Sequence, residues 1–329
     1  MKIVIFGAGA WGTALAIGLS RQHSVVLWVR DPVQFREMES TRINRRHLSD
    51  IRLPEGMQVS NDAFKVLDGA DLAIIAVPMS GLRQTFRMIA ASNSRVPVIW
   101  VSKGFEAGTA KLPHQVALEE YDGIAPIGTL SGPSFALEVA RGLPVALTLA
   151  SSDSGFASSI AAALHSQRIR IYSSTDLVGV EVGGAVKNVM AIAAGISDGL
   201  ELGLNARAAL ITRGLAEITR LGLRLGGKME TFLGLSGVGD LTLTCTGDLS
   251  RNRRVGIELA RGKSLEAILS ELGSTAEGVY TAREVADLAK SLDVEMPIVQ
   301  AVCSVLYDGV PPKEAVEELM KRDSKAENG

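Results

Sequence analysis

The sequence predicts a doubly wound, mostly parallel α/β domain followed by an all-α domain. Three observations carry this expectation. A glycine-rich turn, Gly7-Ala-Gly9-Ala-Trp11-Gly12, joins a short apolar strand candidate to a helix candidate. Apolar runs then alternate with helical stretches as far as Tyr172. From about Asp176 strand-like runs vanish and helical patterns take over. Strands alternating with helices imply a parallel sheet covered on both faces. Residues 1–175 are therefore expected to form the sheet domain and 176–329 the helical one, in keeping with ~100–200 residues per domain.

The elements follow in order. Ile3 to Phe6 is an apolar, β-rich run suited to a strand buried on both faces. Thr13 to Leu19, rich in Ala and Leu, reads as the helix after the turn. Ser24 to Val29 is the second strand, ending at Arg30-Asp31-Pro32. Arg42 to Arg52 is basic and polar and reads as a surface loop. Asn61-Asp62 is a plausible cap for a short helix at Ala63 to Leu67. Leu72 to Val77 is a buried strand stopped by Pro78, and a helix follows at about Leu82 to Ala90. Val96 to Val101 is the next strand, ending in Ser102-Lys103-Gly104. A helix near Leu112 to Glu120, a strand at Ala125 to Leu130 and the turn Ser131-Gly132-Pro133-Ser134 come next. Phe135 to Ala140 is a helical turn. Pro144 to Ala150 and Ile169 to Tyr172 are the last strands, flanking a helix at Gly155 to Leu164. In the second part, Val178 to Ser197 suits a buried helix and Arg207 to Leu221 an amphipathic one. Further helices are expected at Val255 to Ala260, Leu265 to Leu272, Ala282 to Leu292, Ile298 to Leu306 and Pro312 to Arg322. The polar tail from Lys321 to Gly329 reads as frayed.

Composition narrows the class. Of 329 residues 47% are apolar and the net charge is −2, which fits a soluble globular protein and gives no pull toward nucleic acid or a membrane surface. No run of ~18 uninterrupted apolar residues is present, so no membrane span is expected. Met1-Lys2 and the apolar run resemble a secretory leader, but the three glycines and the direct return to a βα pattern argue against one. The two cysteines, Cys245 and Cys303, form no metal or redox motif, which fits a reducing cytoplasm. His23, His47, His114 and His165 are scattered, with no carboxylate at metal spacing. A nucleophile elbow and a phosphate-loop Lys-Ser/Thr are both missing.

Strand, glycine turn and helix in succession make a dinucleotide-binding, Rossmann-type fingerprint. Gly7 supplies a tight turn, Gly9 lets the backbone approach a pyrophosphate, and Gly12 lets the helix sit close to the strand. The free N–H groups of the helix start then face the anion. Cofactor choice falls about 20 residues on. Arg30 there suits the 2′-phosphate of NADP, whereas an acidic group would grip the ribose hydroxyls of NAD. Asp31 follows at once, so the signal is mixed, with NADP favoured over NAD.

Lys187 stands out on a helix apolar nearly all round, within Glu181-Val-Gly-Gly-Ala-Val-Lys187-Asn188. A buried ammonium is costly and its pKa falls readily, so it can pass a proton at neutral pH. The alternative is a structural Lys reaching the surface along its stem. Gly237-Val-Gly239-Asp240 and Ser250-Arg251-Asn252-Arg253-Arg254 form a second constellation. Its Arg and Asn side chains and free N–H groups suit a phosphate, with Ser250 a candidate helix cap. Lys103-Gly104 and Gly132-Pro133-Ser134 lie at strand ends, where ligands of such sheets sit. Together these residues suggest hydride transfer to or from a small phosphorylated keto or hydroxy compound.

The motifs around Gly7, Ser102-Lys103-Gly104, Ser131 to Ala136, Glu181 to Met190, Asn205 to Gly214, Gly239 to Thr246 and Ser250 to Arg253 resemble bacterial NAD(P)-dependent glycerol-3-phosphate dehydrogenases, in order and over nearly the whole chain. The resemblance implies a cytoplasmic enzyme, often a homodimer, that reduces dihydroxyacetone phosphate to sn-glycerol 3-phosphate for phospholipid synthesis. It implies that Lys187 is the proton donor or acceptor. It places Lys103, Gly132, Ser134, Lys187, Asp240, Ser250, Arg251 and Asn252 at the substrate. It places Ala10, Trp11, Arg30, Lys103, Ala136, Arg251, Thr275 and Glu277, with the glycine turn, at the cofactor. Trp11 stands where Tyr or Phe is common in that family, and Thr275 where Val is frequent. Two rivals remain open here: a related enzyme acting on another β-hydroxyacid or sugar acid, and a catalytically silent nucleotide sensor.

Overall fold

Strands β1 (Lys2–Phe6) and β2 (Ser24–Trp28) pair in parallel, with the glycine turn and helix α1 (Ala10–Leu19) between them. A computed structural model describes residues 1–273 and 276–321. Beyond β2 come α2 (Pro32–Thr41), a hairpin of β3 (Ile43–Asn44) and β4 (Leu48–Arg52), and β5 (Gln58–Ser60). A single 3₁₀ turn, Lys65–Leu67, precedes β6 (Leu72–Ile75), and Asp62 Oδ1 caps it by accepting from the N–H groups of Phe64 and Lys65. Then follow α3 (Met79–Ala91), β7 (Val98–Trp100), α4 (Pro113–Tyr121), β8 (Ile127–Ser131), α5 (Ala136–Ala140), β9 (Val145–Ala150), α6 (Ser154–Leu164) and β10 (Ile169–Ser174).

Eight of these strands form one sheet in the order β10-β9-β8-β7-β6-β1-β2-β5. Every pairing in it is parallel except β8 with β9. From β1 the chain goes to β2 on one side and returns to β6 on the other. That reversal opens a crevice beyond the carboxyl ends of the strands. Burial on both faces explains the unbroken apolar runs: Ile3 and Ile5 enter one core, Val4 and Phe6 the other.

The rest is helical. α7 (Leu177–Gly199) is followed by α8 (Gly203–Arg224), α9 (Met229–Phe232), a π-helical turn at Leu235–Gly239, and α10 (Asp240–Thr246). Then come α11 (Arg251–Ala260), α12 (Leu265–Leu272), α13 (Glu277–Ser291), α14 (Pro297–Tyr307) and α15 (Pro312–Met320). α7 is the axle of this part, and its residues from Gly179 to Ser197 are all buried. By length and hydropathy α7 could cross a bilayer, which the count of uninterrupted apolar residues did not anticipate, but 89% of its apolar window is buried inside the fold.

Three expectations need correction. Residues 42–52 are not a plain loop. Asn44 and Leu48 point inward and hold a hairpin against the sheet domain, a role that a basic, polar composition hides. α2 went unseen although its signal was present, since Asp31 caps it through the Val33 N–H at 2.8 Å and Pro32 opens it. α9 and α10 went unseen because glycines and a Thr-Leu-Thr-Cys-Thr run obscure helical periodicity. The expected tail from residue 322 onward lies outside the described residues.

Glycines let α7 and α11 touch backbone to backbone. A Cβ on Gly195 would stand 2.0 Å from the Arg253 carbonyl oxygen, and one on Gly256 would stand 2.0 Å from that of Ile192. Gly256→Ala should therefore destabilise the protein by about 1–3 kcal/mol through overpacking, despite the better helix propensity of Ala. Urea unfolding checks this, and an unchanged or raised midpoint would contradict the close crossing.

Candidate active site

The glycine turn is built for an anion. Gly7 has φ +117°, and a Cβ there would lie 2.5 Å from the Ala76 carbonyl oxygen. A Cβ on Gly12 would lie 2.0 Å from the Gly7 carbonyl oxygen, so α1 can abut β1 only with glycine at that position. Gly9 faces open space, with no atom of the described residues within 4 Å of a built Cβ. Gly9 is also the N-cap of α1, and no side chain caps that helix. The first amides of a ten-residue helix thus point, unclaimed by a side chain, into an open crevice. These residues fit a dinucleotide pyrophosphate. Trp11 lies half-buried in the first turn, and Ala136 begins α5.

The second half of the site is a charge cluster. Lys187 on α7 is 7% exposed and Asp240, at the start of α10, is 1% exposed. The Lys187 ammonium donates to Asp240 Oδ1, and to Thr244 Oγ1 at 2.9 Å. Thr244 in turn donates to the Asp240 carbonyl oxygen at 2.6 Å. Lys103, beyond the end of β7, donates to the other Asp240 oxygen at 2.6 Å and to the Gly132 carbonyl oxygen at 3.3 Å. One carboxylate is thus shared by two ammonium groups, one from each part of the chain. Burial pulls the Lys187 pKa down; Asp240 pushes it back up and Lys103 lowers it again, leaving it at about 7.

Around this cluster the backbone is shaped to leave room. Gly132 has φ +136°, and the Ser134 hydroxyl donates to its carbonyl oxygen at 2.9 Å. Asn188, next to Lys187, accepts from Asn252 Nδ2 at 3.0 Å. Asn252 Oδ1 accepts from the Gly278 N–H at 3.0 Å. This chain ties α7, α11 and the start of α13 together. Ser250 is the N-cap of α11, its hydroxyl accepting from the Arg253 N–H at 3.2 Å. Arg253 is turned away to Asp198 at 2.7 Å, and Arg251 stays exposed at the helix start. Although its side chain reaches solvent, Arg251 is partly desolvated by the surrounding cleft walls, which lowers its pKa, and the nearby Glu277 raises it. Burial raises Glu277 to about 7, against the pull of Arg251.

The structure therefore brings Lys103, Gly132, Ser134, Lys187 and Asp240 into one cluster and leads Asn252, Arg251 and Glu277 along its flank. Arg30 stands apart, just past the end of β2 and exposed, beside the glycine turn rather than the charge cluster. Thr275 lies outside the described residues. Two participants escaped sequence reasoning. Thr244 has no signal beyond its four-residue spacing from Asp240 on an unrecognised helix. Glu181 is a fully buried carboxylate on α7 that accepts from the Trp100 indole N–H and the His114 N–H, both at 2.9 Å, and pairs with His114 Nδ1. It moors α7 to β7 and α4, hence Lys187 to the strand that carries Lys103. Its only sequence signal is an acid on an apolar helix.

Comparison with known proteins fits this geometry. Models of the NAD-dependent glycerol-3-phosphate dehydrogenase N-terminus and C-terminus match residues 2–157 and 176–317. A glycerol-3-phosphate dehydrogenase [NAD(P)+] of Nitrosospira multiformis is 62% identical, with 99% of each chain covered. One from Dechloromonas aromatica is 57% identical over 99% of each. The crystal structure of a glycerol-3-phosphate dehydrogenase from Coxiella burnetii superposes with TM-score 0.93 at 41% identity, covering 98% of this chain and 99% of that one.

Because Asp240 raises the Lys187 pKa, Asp240→Asn should move it below 7. Competitive acylation of Lys187 as a function of pH reads this directly. A pKa that stays put or rises would show that the carboxylate does not control the amine.

Proposed function

The chain belongs to the NAD-dependent glycerol-3-phosphate dehydrogenase family and is an NAD(P)-dependent oxidoreductase that interconverts dihydroxyacetone phosphate and sn-glycerol 3-phosphate, and we propose that Lys187 carries the proton of that reaction. The observation that supports this most strongly is a buried ammonium poised near neutrality on a carboxylate it shares with Lys103.

Bound NAD(P)H supplies the hydride that reaches the carbonyl carbon. The chain's own residues hold the substrate and move the proton. In the reducing direction the Lys187 ammonium donates to the oxygen that gains charge as the carbonyl is reduced. Asp240 and Thr244 aim the ammonium, and Lys103 adds positive charge beside the developing alkoxide. Gly132, Ser134, Ser250, Arg251 and Asn252 line the substrate. Arg251 and Asn252 suit its phosphate, a planar fork and a carboxamide at the start of α11. Ser250 acts there chiefly by capping that helix, since its hydroxyl already accepts from Arg253. Gly7, Gly9, Ala10, Trp11 and Gly12 hold the pyrophosphate, with Arg30, Lys103, Ala136, Arg251 and Glu277 along the rest of the dinucleotide. Thr275 belongs to the same set by resemblance. Arg30 favours NADP over NAD.

The border between residues 1–175 and 176–329 belongs to this reading, supported by β10 ending at Ser174 and α7 starting at Leu177. So do a cytoplasmic location and a supply of glycerol phosphate to phospholipid synthesis, both consistent with the family, and a homodimer, which rests on the sequence resemblance alone.

Parallel oxidation of NADPH and NADH with dihydroxyacetone phosphate tests the whole proposal, which expects turnover with both and a higher kcat/KM with NADPH. Lys187→Ala should lose roughly 10²–10⁴-fold in kcat while still binding cofactor; full activity would end the proton-transfer role. Reduction needs the ammonium, so its kcat/KM should fall as pH rises through about 7, while oxidation of glycerol 3-phosphate should rise through the same value. Profiles that run the other way would exclude Lys187 as the titrating group.

A further inference from the structure

The hairpin β3–β4 is fastened to the glycine turn itself. Asn44 is fully buried, and its Nδ2 donates to the Ala8 carbonyl oxygen at 2.9 Å and to Thr13 Oγ1 at 2.8 Å. Gln34, on α2, donates to the same carbonyl at 3.1 Å and to Asn44 Oδ1 at 3.2 Å. At the hairpin base Arg42 donates to the Met57 carbonyl oxygen at 2.7 Å. The tip, Arg45-Arg46-His47, is thereby held beside the end of β2. There Arg46 Nη1 meets Asp31 Oδ2 at 2.5 Å. The other oxygen, Asp31 Oδ1, is engaged by the Val33 N–H.

Asp31 occupies the stretch after the second strand where an acid ordinarily grips the ribose hydroxyls of NAD and repels the 2′-phosphate of NADP. Here both of its oxygens are already claimed and its charge is matched. From this geometry we infer that Arg46 is a specificity-determining residue: by neutralising Asp31 it lets the adjoining Arg30 accept a 2′-phosphate, so that the hairpin tip sets the balance between NADP and NAD. The inference rests on the dinucleotide reading above. A 2′-phosphate carries a charge of about −1.5 to −2, so an unmatched carboxylate a few ångströms away disfavours it far more than it disfavours a hydroxyl. Arg45, the neighbouring cation, pairs with Glu37 at 3.7 Å and not with Asp31, which makes it the internal control.

Binding of adenosine 2′,5′-bisphosphate and adenosine 5′-monophosphate to the full-length protein, followed by calorimetry at low salt, tests this without turnover. Arg46→Ala should lower the bisphosphate-to-monophosphate affinity ratio by about tenfold, and Arg46→Glu by more. Arg45→Ala should move it by less than roughly twofold, as expected of an exposed cation that pairs with Glu37 and not with Asp31. Asp31→Asn keeps an oxygen to cap α2 but removes the charge. In that background Arg46→Ala should cost less than roughly threefold, because no carboxylate remains to neutralise. An unchanged ratio in Arg46→Ala, or an equal fall in both backgrounds, would overturn the inference. A wild-type protein that binds both fragments equally would refute the NADP preference, while Arg46 would still be judged by the change in ratio.

Discussion

The site depends on one carboxylate held between two ammonium groups. Bringing three charges out of water costs several kcal/mol per ion unless geometry and hydrogen bonds compensate. Asp240 supplies that compensation by giving one oxygen to Lys187 and the other to Lys103. With Lys187 protonated the cluster carries a net charge of +1, which suits an anionic substrate and a developing alkoxide. It also leaves Lys187 in tension between desolvation, which favours the neutral amine, and Asp240, which favours the ammonium. That near balance is what the proton-carrying role proposed for Lys187 requires in a reversible reaction.

Each partner arrives from a different part of the chain, so the cluster also reports how the two halves are joined. Lys103 follows β7, Lys187 projects from α7, and Asp240 opens α10 after a π-helical turn. Gly183 lets that turn approach α7, since a Cβ there would stand 2.3 Å from the Ser236 carbonyl oxygen. Glu181, six residues before Lys187, binds α7 back to Trp100 and His114. Small residues bring the elements close, and buried polar pairs fix their register. On the far side of the crevice the same logic recurs in weaker form, where Asn44 and Gln34 lock the hairpin to the glycine turn.

Much of this was legible in the sequence. Strand β1, its glycines and α1 announce themselves because a strand buried on both faces is apolar throughout and a helix packed this close to it needs glycine in its first turn. Lys187 was conspicuous because an ammonium on an apolar helix demands a partner. What could not be read was the rest of the network. Asp240 was placed at the site beside Lys187, but its second oxygen's bond to Lys103 was not. Thr244 sits on a short helix masked by glycine and threonine, and Glu181 and His114 are 67 residues apart in sequence. The hairpin was missed because its one buried polar anchor, Asn44, is indistinguishable in composition from the exposed residues around it. Pairings across the fold are set by tertiary approach, which local periodicity does not encode.

The central claim is that the Lys187 amine and the substrate carbonyl oxygen meet while the carboxylate of Asp240 still holds the amine. A crystal structure of the full chain with NADP⁺ and glycerol 3-phosphate measures this directly. Lys187 Nζ is expected within about 2.6–3.2 Å of the C2 oxygen, with Asp240 on its other side. A C2 oxygen well beyond hydrogen-bond reach of Lys187, bonded instead to a different titratable group, would contradict it.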